Sequence, residues 1–500
     1  MAAWQAGGSL HKRATRFQPG PESAGFEPVV FNHYTGVEER SRGVSGLRHP
    51  MNPEALARDI VSTLRGAGHQ AWLVGGCVRD LLLGIQPKDF DVATDARPER
   101  IAGLFPNAGL VGAHFGVALV RRDSACVEVA TFRSDRDYAD GRRPASVRFE
   151  TSPRQDALRR DFTINGLMMD PVGGEVLDYC GGRADLEGRV VRAIGDADER
   201  FREDHLRLLR GVRFAARLGF EIEPATFEAI RRNHAAILRV SAERARDELA
   251  RILTEGGARR GFELLDATGM LADLLPEVAA MKGVEQPPEY HPEGDVWVHT
   301  LLLLEQLKQP SPTLALGALL HDVGKPPTFR GAEGGGGKAG ESACPTKGRI
   351  RFDGHVEAGV ELARGILTRL RFSRDEIEQV EALVANHMRF ADAPRMREST
   401  LKRFLRLPRF EEHLELHRLD VLASNRRTES YELVKRRREE ISEERLTPPS
   451  LITGADLIAA GYQPGPLFAE ILTAVEDAQL EGAIGTKEEA MALARARFPL

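Results

Sequence analysis

Over residues 53–64 apolar side chains recur every three or four positions, the period of a helix with one buried face, and the chain then enters Ala71-Trp72-Leu73-Val74, an apolar run that stops at Gly75-Gly76. This pattern predicts helix, strand and tight turn. Helical spacing resumes over 78–83, and residues 90–92, 117–121 and 127–132 read as further strands, so 51–190 is expected to form an α/β head, a mixed sheet with helices. After about Gly195 the strand pattern fades. Amphipathic helices are predicted at 203–218, 224–238, 242–253 and 262–267, giving an all-α neck over 191–285. Gln286-Pro287-Pro288 opens a second helical block, 286–440, broken by a Gly-rich stretch at 331–340 that cannot pack a core and is expected to be a flexible loop. A helical tail over 441–500 follows, in which Pro464-Gly465-Pro466 forces a turn between two helices. Residues 1–50 have no periodicity and are expected to be a disordered N-terminal extension. The expected fold class is α+β and multidomain.

At 500 residues and 42% apolar, the chain can bury several cores. A net charge of -5 gives no global signal for a polyanionic partner, so any nucleic-acid contact must come from local clusters such as Arg142-Arg143 or the arginines between 154 and 160. The four cysteines are widely spaced, with neither a CxxC pair nor a secreted framework, which points to reduced thiols and a cytoplasmic setting. Apolar runs such as 314–320 are far shorter than the roughly 20 residues a spanning helix needs, so no membrane span is expected.

Asp89 and Asp91 stand two apart in Lys88-Asp89-Phe90-Asp91-Val92-Ala93-Thr94. On a strand such residues share a face, with Cα atoms roughly 6.6 Å apart, so both carboxylates can grip the same ions. Phosphoryl transfer by two metals needs ions about 3.5 to 4 Å apart, one activating the attacking hydroxyl and one neutralising the leaving pyrophosphate; hard oxygen ligands select Mg²⁺. Alone, the pair reads more readily as a solvated strand end. The preceding Gly75-Gly76-Cys77-Val78-Arg79-Asp80 reverses that reading, because bare backbone at Gly76 can approach a triphosphate and Arg79 can add charge. Glu128 fits two roles equally, a third acid or an ordinary solvent-facing strand glutamate.

The run G-G-x-V-R-D-x-L-L-G followed by D-x-D resembles the class II tRNA nucleotidyltransferase (CCA-adding enzyme) and bacterial poly(A) polymerase family, and Arg159-Arg160-Asp161-Phe162-Thr163-Ile164-Asn165 stands as a later family motif does. The resemblance implies a nucleotidyltransferase head that adds CMP and AMP, from CTP and ATP, to the 3′ end of tRNA. It assigns Asp89 and Asp91 to Mg²⁺ and catalysis, Gly76, Arg79 and Arg160 to the incoming nucleotide, and 140–144 to a mobile loop. Glu203-Asp204-His205-Leu206-Arg207 resembles the family's amino-acid template, which makes Asp204 and Arg207 readers of the base. The residue types suit that role. A carboxylate only accepts hydrogen bonds and so rewards the exocyclic amine of cytosine or adenine, while Arg donates to a ring nitrogen or carbonyl. Uracil and guanine would set carbonyl against carboxylate, at a cost of about 1 to 3 kcal/mol. Arg210 and Arg213 are carried over as nucleotide-binding. A poly(A) polymerase shares the head, but the stretch at 111–120 lacks the paired basic residues that polyadenylating members tend to show, and CC-only or A-only addition also stays open.

His321-Asp322-Val323-Gly324-Lys325 ends an apolar run, with His299 before it and His355, His387 and Asp420 after. This ordered set resembles the HD phosphohydrolase domain, where imidazole and carboxylate together suit a transition metal. It implies His299, His321, Asp322 and Asp420 as ligands, with His355 and His387 at positions that add a second ion. The structural alternative is a helical body with a vestigial site, reused for docking tRNA.

Overall fold

The computed structural model describes residues 52–110, 116–138, 144–331 and 350–499, and of 135–138 and 144–147 the backbone alone. The expectations for 1–50, for the loop near 140–144, for Arg142-Arg143, for 111–115 and for most of 331–340 therefore lie outside the described residues.

The head begins with α1 (Pro53–Gly66), capped by the Asn52 side chain accepting from the Ala55 N–H at 2.7 Å and burying Leu56, Ile60, Val61 and Leu64. There follow β1 (Ala71–Val74), α2 (Gly76–Leu82), β2 (Asp91–Thr94), α3 (Pro98–Leu104), β3 (Ala108–Leu110), β4 (Val117–Arg122), β5 (Ala125–Thr131), β6 (Arg133–Tyr138), β7 (Pro144–Phe149), α4 (Pro153–Leu158), β8 (Met168–Met169), β9 (Val176–Leu177) and α5 (Gly182–Glu187). Seven strands form one mixed sheet in the order β3-β4-β5-β2-β1-β8-β9, while β6 and β7 pair as a separate hairpin. Within that sheet only β2 and β5 are parallel, with Asp91 opposite Glu128. The expectation that both acids sit on one strand needs correction: β2 opens at Asp91, and Asp89 stands in the bend before it. The antiparallel register with β1 runs out at Leu73 opposite Val92, because β1 turns away at Gly75, whose φ of 75° takes the chain into α2.

The neck comprises β10 (Val190–Val191), α6 (Ala197–Glu203), α7 (Leu206–Leu218), β11 (Glu221–Ile222), α8 (Pro224–Asn233), α9 (Ala242–Thr254), α10 (Ala258–Thr268), α11 (Met270–Leu274) and α12 (Pro276–Ala279). The helix expected over 203–218 is broken at Asp204, which is extended at φ -144° and ψ 107°. Its side chain accepts the Leu206 N–H at 3.1 Å, a local bond that competes with helix and restarts the chain as α7. The helix expected to 238 stops at Asn233 and continues as a 3₁₀ turn, and a short parallel pair, β10 with β11, lies where no strand was expected.

The body contains α13 (Val296–Gln306), α14 (Pro312–Leu320), α15 (Lys325–Thr328), α16 (His355–Arg369), α17 (Arg374–Asn386), α18 (Glu398–Leu405), α19 (Phe410–Ala423), α20 (Glu429–Glu440) and α21 (Glu443–Leu446). Every residue of α14 from Thr313 to Leu320 is buried, so it forms the centre around which α9, α13, α17 and α19 pack. One apolar cluster runs without interruption from Leu56 in α1 to Ala423 in α19. The tail, α22 (Gly454–Ala459), α23 (Pro466–Leu480) and α24 (Lys487–Arg497), has its own small core and is tied to α18, where Arg403 pairs with Glu476 and Asp477 at 2.5 Å. Among the described residues no helix is long and apolar enough to cross a membrane.

Candidate functional site

Where β1 gives way to α2, three acids gather at one side of the sheet. Parallel pairing sets Glu128 beside Asp91, and Asp89 approaches from the preceding bend. Burial, then the Glu128 charge, and to a lesser degree that of Asp89, push the Asp91 carboxyl up to about 6, with Arg160 pulling the other way. Gly75 makes room for this meeting: a Cβ there would lie 3.0 Å from the Arg160 Nη1 and 4.0 Å from the Asp91 Oδ2. Arg160 is held by Asp156 at 3.0 Å, while its Nε is buried without a partner. Asp89 and Glu128 are exposed. The cluster thus joins hard oxygen ligands to a cation with a donor to spare, a setting that fits divalent ions and a phosphate.

Arg79 sits differently from its expected place at the nucleotide. It is 2% exposed, donating to Asp80 at 2.8 Å and to Asn165 at 2.8 Å, while Asp80 also receives Arg217 of α7 at 3.0 Å. Asp80, held by Arg79 on one side and by Arg217 on the other, therefore joins head to neck. Gly76 lies just above Arg79, its Cα side open to within 3.7 Å of the Arg79 Nη2. Asp204 and Arg207, neighbours by their spacing, each bind elsewhere. Arg207 is engaged by Glu203 at 2.5 Å and by the Arg159 carbonyl at 3.1 Å, while Asp204 takes Arg244 of α9 at 2.8 Å. The break at Asp204 is the reason, since the two no longer share a helix face. Arg210 grips the buried Asp161 at 2.7 Å, and Arg213, 4% exposed, is locked by Glu248 at 2.6 Å and Glu255 at 3.1 Å. Arg79, Arg210 and Arg213 all face the Phe214 ring within 5.2 Å. Arg244, Glu248 and Glu255 had no signal in the sequence that paired them with these residues, whereas Glu203 stands four residues before Arg207.

In the body, α13, α14, α16, α17 and α19 bring their histidines and acids to one point. The His299 Nε2 lies 3.3 Å from the His321 Nε2 and 3.1 Å from the Asp420 Oδ1. Asp322 divides its oxygens: Oδ2 is 3.2 Å from the His321 Nε2, while Oδ1 faces the His387 Nε2 at 3.7 Å. Two groups of possible ligands meet at this point, His299, His321 and Asp420 on one side and Asp322, His355 and His387 on the other, and a third, His291, Glu293 and His299, lies behind the first; the ligand atoms of each lie within 4.8 Å of one another. Lys325 holds Asp322 from behind, its Nζ donating to the Asp322 Oδ2 and to the Gln286 Oε1 at 2.6 Å each. Burial drives His387 down to about 4 and lowers His355, so both rings are neutral at pH 7 and their buried Nε2 atoms have no protein partner. Burial opposes charge on His299 too, but Asp420 and Glu293 outweigh it and raise it to about 9. Mixed nitrogen and oxygen donors fit a transition metal. Among the described residues, the closed groups of three or more possible ligands all lie here, and the acids of the head stand more openly.

Residues 71–192 match the poly A polymerase head domain, 219–282 the probable RNA and SrmB-binding site of polymerase A, and 295–443 the HD domain. A CC-adding tRNA nucleotidyltransferase of Thermus thermophilus is 36% identical over 445 residues, covering 84% of this chain and 92% of that one. CCA-adding enzymes of Bacillus pumilus (38% over 261 residues; 51% of this chain, 65% of theirs) and Geobacillus stearothermophilus (43% over 230; 46% and 56%) are also similar. The chain thus matches about half to two thirds of the length of these two. The crystal structure of the Bacillus stearothermophilus CCA-adding enzyme in complex with CTP superposes with a TM-score of 0.67 at 26% identity, over 89% of this chain and 99% of that one. With a relative matched over nearly its whole length and a head, neck and body of the same kind, the chain belongs to the tRNA nucleotidyltransferase and bacterial poly(A) polymerase family, a metal-dependent nucleotidyltransferase head carried with an HD domain.

Proposed function

We propose that this protein adds CMP and AMP from CTP and ATP to the 3′ end of tRNA, completing CCA, in the cytoplasm. The observation that carries the reading is the meeting of Asp89, Asp91 and Glu128 with Arg160 over the bare backbone of Gly75. In this reading Asp89 and Asp91 would hold Mg²⁺, whose charge would supply activation of the tRNA 3′-hydroxyl and neutralisation of the leaving pyrophosphate. Glu128 joins them as a third acid. Arg160 donates its unpartnered Nε to the triphosphate beside Gly76. Asp204 accepts the amine of cytosine or adenine, and Arg207 donates to the ring once it leaves Glu203. Arg79, through Asp80, and Arg210, through Asp161, act from behind to hold the head against α7, and Arg213 ties α7 to α9, which together fix the distance between the phosphate and base subsites. Residues 51–190 serve as the catalytic head, 191–285 as the neck, 286–440 as the HD body and 441–500 as the tail. The likeness to a CC-adding enzyme over 92% of its length supports a second reading, in which addition stops after two CMP. Product lengths on tRNA that ends before CCA, with CTP alone and with CTP plus ATP, separate the two.

For the body we infer a transition-metal site that His299, His321, Asp322 and Asp420 would hold, with His355 and His387 placed to add a second ion, and which would supply the hydrolysis of phosphoesters of RNA ends or nucleotides. Absence of both bound metal and phosphatase activity in the purified protein contradicts it.

A further inference from the structure

Four imidazoles surround the two ligand groups of the body, and each is aimed by the hydrogen bond its Nδ1 makes. In His321, His355 and His387 the Nδ1 lies 3.1, 2.9 and 2.6 Å from the main-chain carbonyls of Ala318, Phe352 and Val384, each three residues earlier. A carbonyl can only accept, so the proton sits on Nδ1 and Nε2 is left as the ligand atom. His299 differs. Its Nδ1 lies 2.7 Å from a side-chain carboxylate, the Oε1 of Glu293, which also takes the His291 Nδ1 at 2.9 Å. His299 is fully buried, the Glu293 side chain is 7% exposed, and its second oxygen is buried without a partner.

We propose that Glu293 is a positioning residue for the metal centre of the body, accepting the His299 Nδ1–H and so holding the His299 Nε2 toward His321 and Asp420. The inference rests on the metal-centre reading above. A carboxylate behind an imidazole fixes its tautomer and its plane, and it makes the far nitrogen a stronger donor than a main-chain carbonyl does. Three of the four rings take that support from main-chain carbonyls, which no substitution removes; His299 takes it from a side chain. Glu293 is not itself a ligand here, because the Nδ1 of His299 points at it while the Nε2 faces the ligand group, and both of its histidine contacts have hydrogen-bond length.

Titrating full-length protein with Co²⁺ and following visible absorption reads the site directly, since nitrogen ligation gives bands that the carboxylates of the head do not. Glu293→Ala is expected to weaken Co²⁺ binding about 10- to 100-fold and shift the bands, Glu293→Gln to fall between it and wild type, and His291→Ala to change affinity by less than about threefold. CMP incorporation by the same preparations should stay at the wild-type level, which separates a metal effect from misfolding; if Glu293→Ala fails to fold, Glu293→Gln decides. Wild-type affinity and bands in a folded Glu293 variant overturn the proposal. A wild-type protein that incorporates nucleotide but shows no nitrogen-ligated Co²⁺ overturns the metal-centre reading and this inference with it.

Discussion

At the scale of single residues, the head turns on how Asp91 is charged. Burial and the neighbouring acids raise its pKa to about 6, so the carboxylate form is the costly one in the folded chain. A raised acid stabilises the fold below its unfolded pKa and loses that contribution as pH rises through 6. Asp91→Asn should therefore raise the melting temperature of metal-free protein at pH 7 while cutting CMP incorporation by about 10³-fold or more. For wild type, proton and metal compete for Asp91: below pH 6 the Mg²⁺ concentration for half-maximal incorporation should rise about tenfold per pH unit, and saturating Mg²⁺ should shift the acid limb downward. A Mg²⁺ requirement that does not change between pH 5 and 7 contradicts this. The DxD spacing and the His321-Asp322 pair were legible because they lie in short local runs, and the distant histidines were legible through the family resemblance. Glu128 stayed open between two roles until sheet register set it beside Asp91, Glu203 stands four residues before Arg207, and Glu293, brought to His299 by the fold of a loop, was not legible.

At the scale of elements, the apolar pattern located α1, α9 and α14 and the head strands β1, β2, β4 and β5, since each has one face or all faces buried, but it did not mark β3 or β6 to β9. It failed where a side chain competes with the backbone, as at Asp204, and where strands of two residues such as β10 and β11 carry no pattern. Glycines mark the tightest joints. Gly324, between Asp322 and α15, packs backbone to backbone on α16; a Cβ there would lie 2.0 Å from the His355 carbonyl and 2.5 Å from the Gly359 nitrogen. Gly324→Ala must push the two helices apart, separating His355 from Asp322. A loss of about 1 to 3 kcal/mol or more is expected in denaturant unfolding, together with loss of one bound metal per chain; unchanged stability and stoichiometry would count against this packing.

At the scale of the molecule, head, neck and most of the body share one buried cluster, in which α9 meets α14 and α10 meets α13. A fragment ending at residue 285 strips those apolar faces of their cover. It should melt below the full chain and bind a hydrophobic dye, even though the acids of the head are intact. Continuity of this kind cannot be read from segment boundaries, which mark where the chain turns rather than where contacts stop. The cluster also bears on function, because the clamp of Arg79, Asp80 and Arg217 couples α2 to α7, and with it the acids to the base-reading segment. The most direct measurement is nucleotide incorporation into tRNA ending before CCA, with each nucleotide alone and with CTP and ATP together, for wild type and Asp89→Ala. Two CMP with CTP alone, a terminal AMP only when ATP is also present, nothing with UTP or GTP, and no product from the variant are expected. A long tail from ATP alone, or wild-type extension by Asp89→Ala, contradicts the assignment.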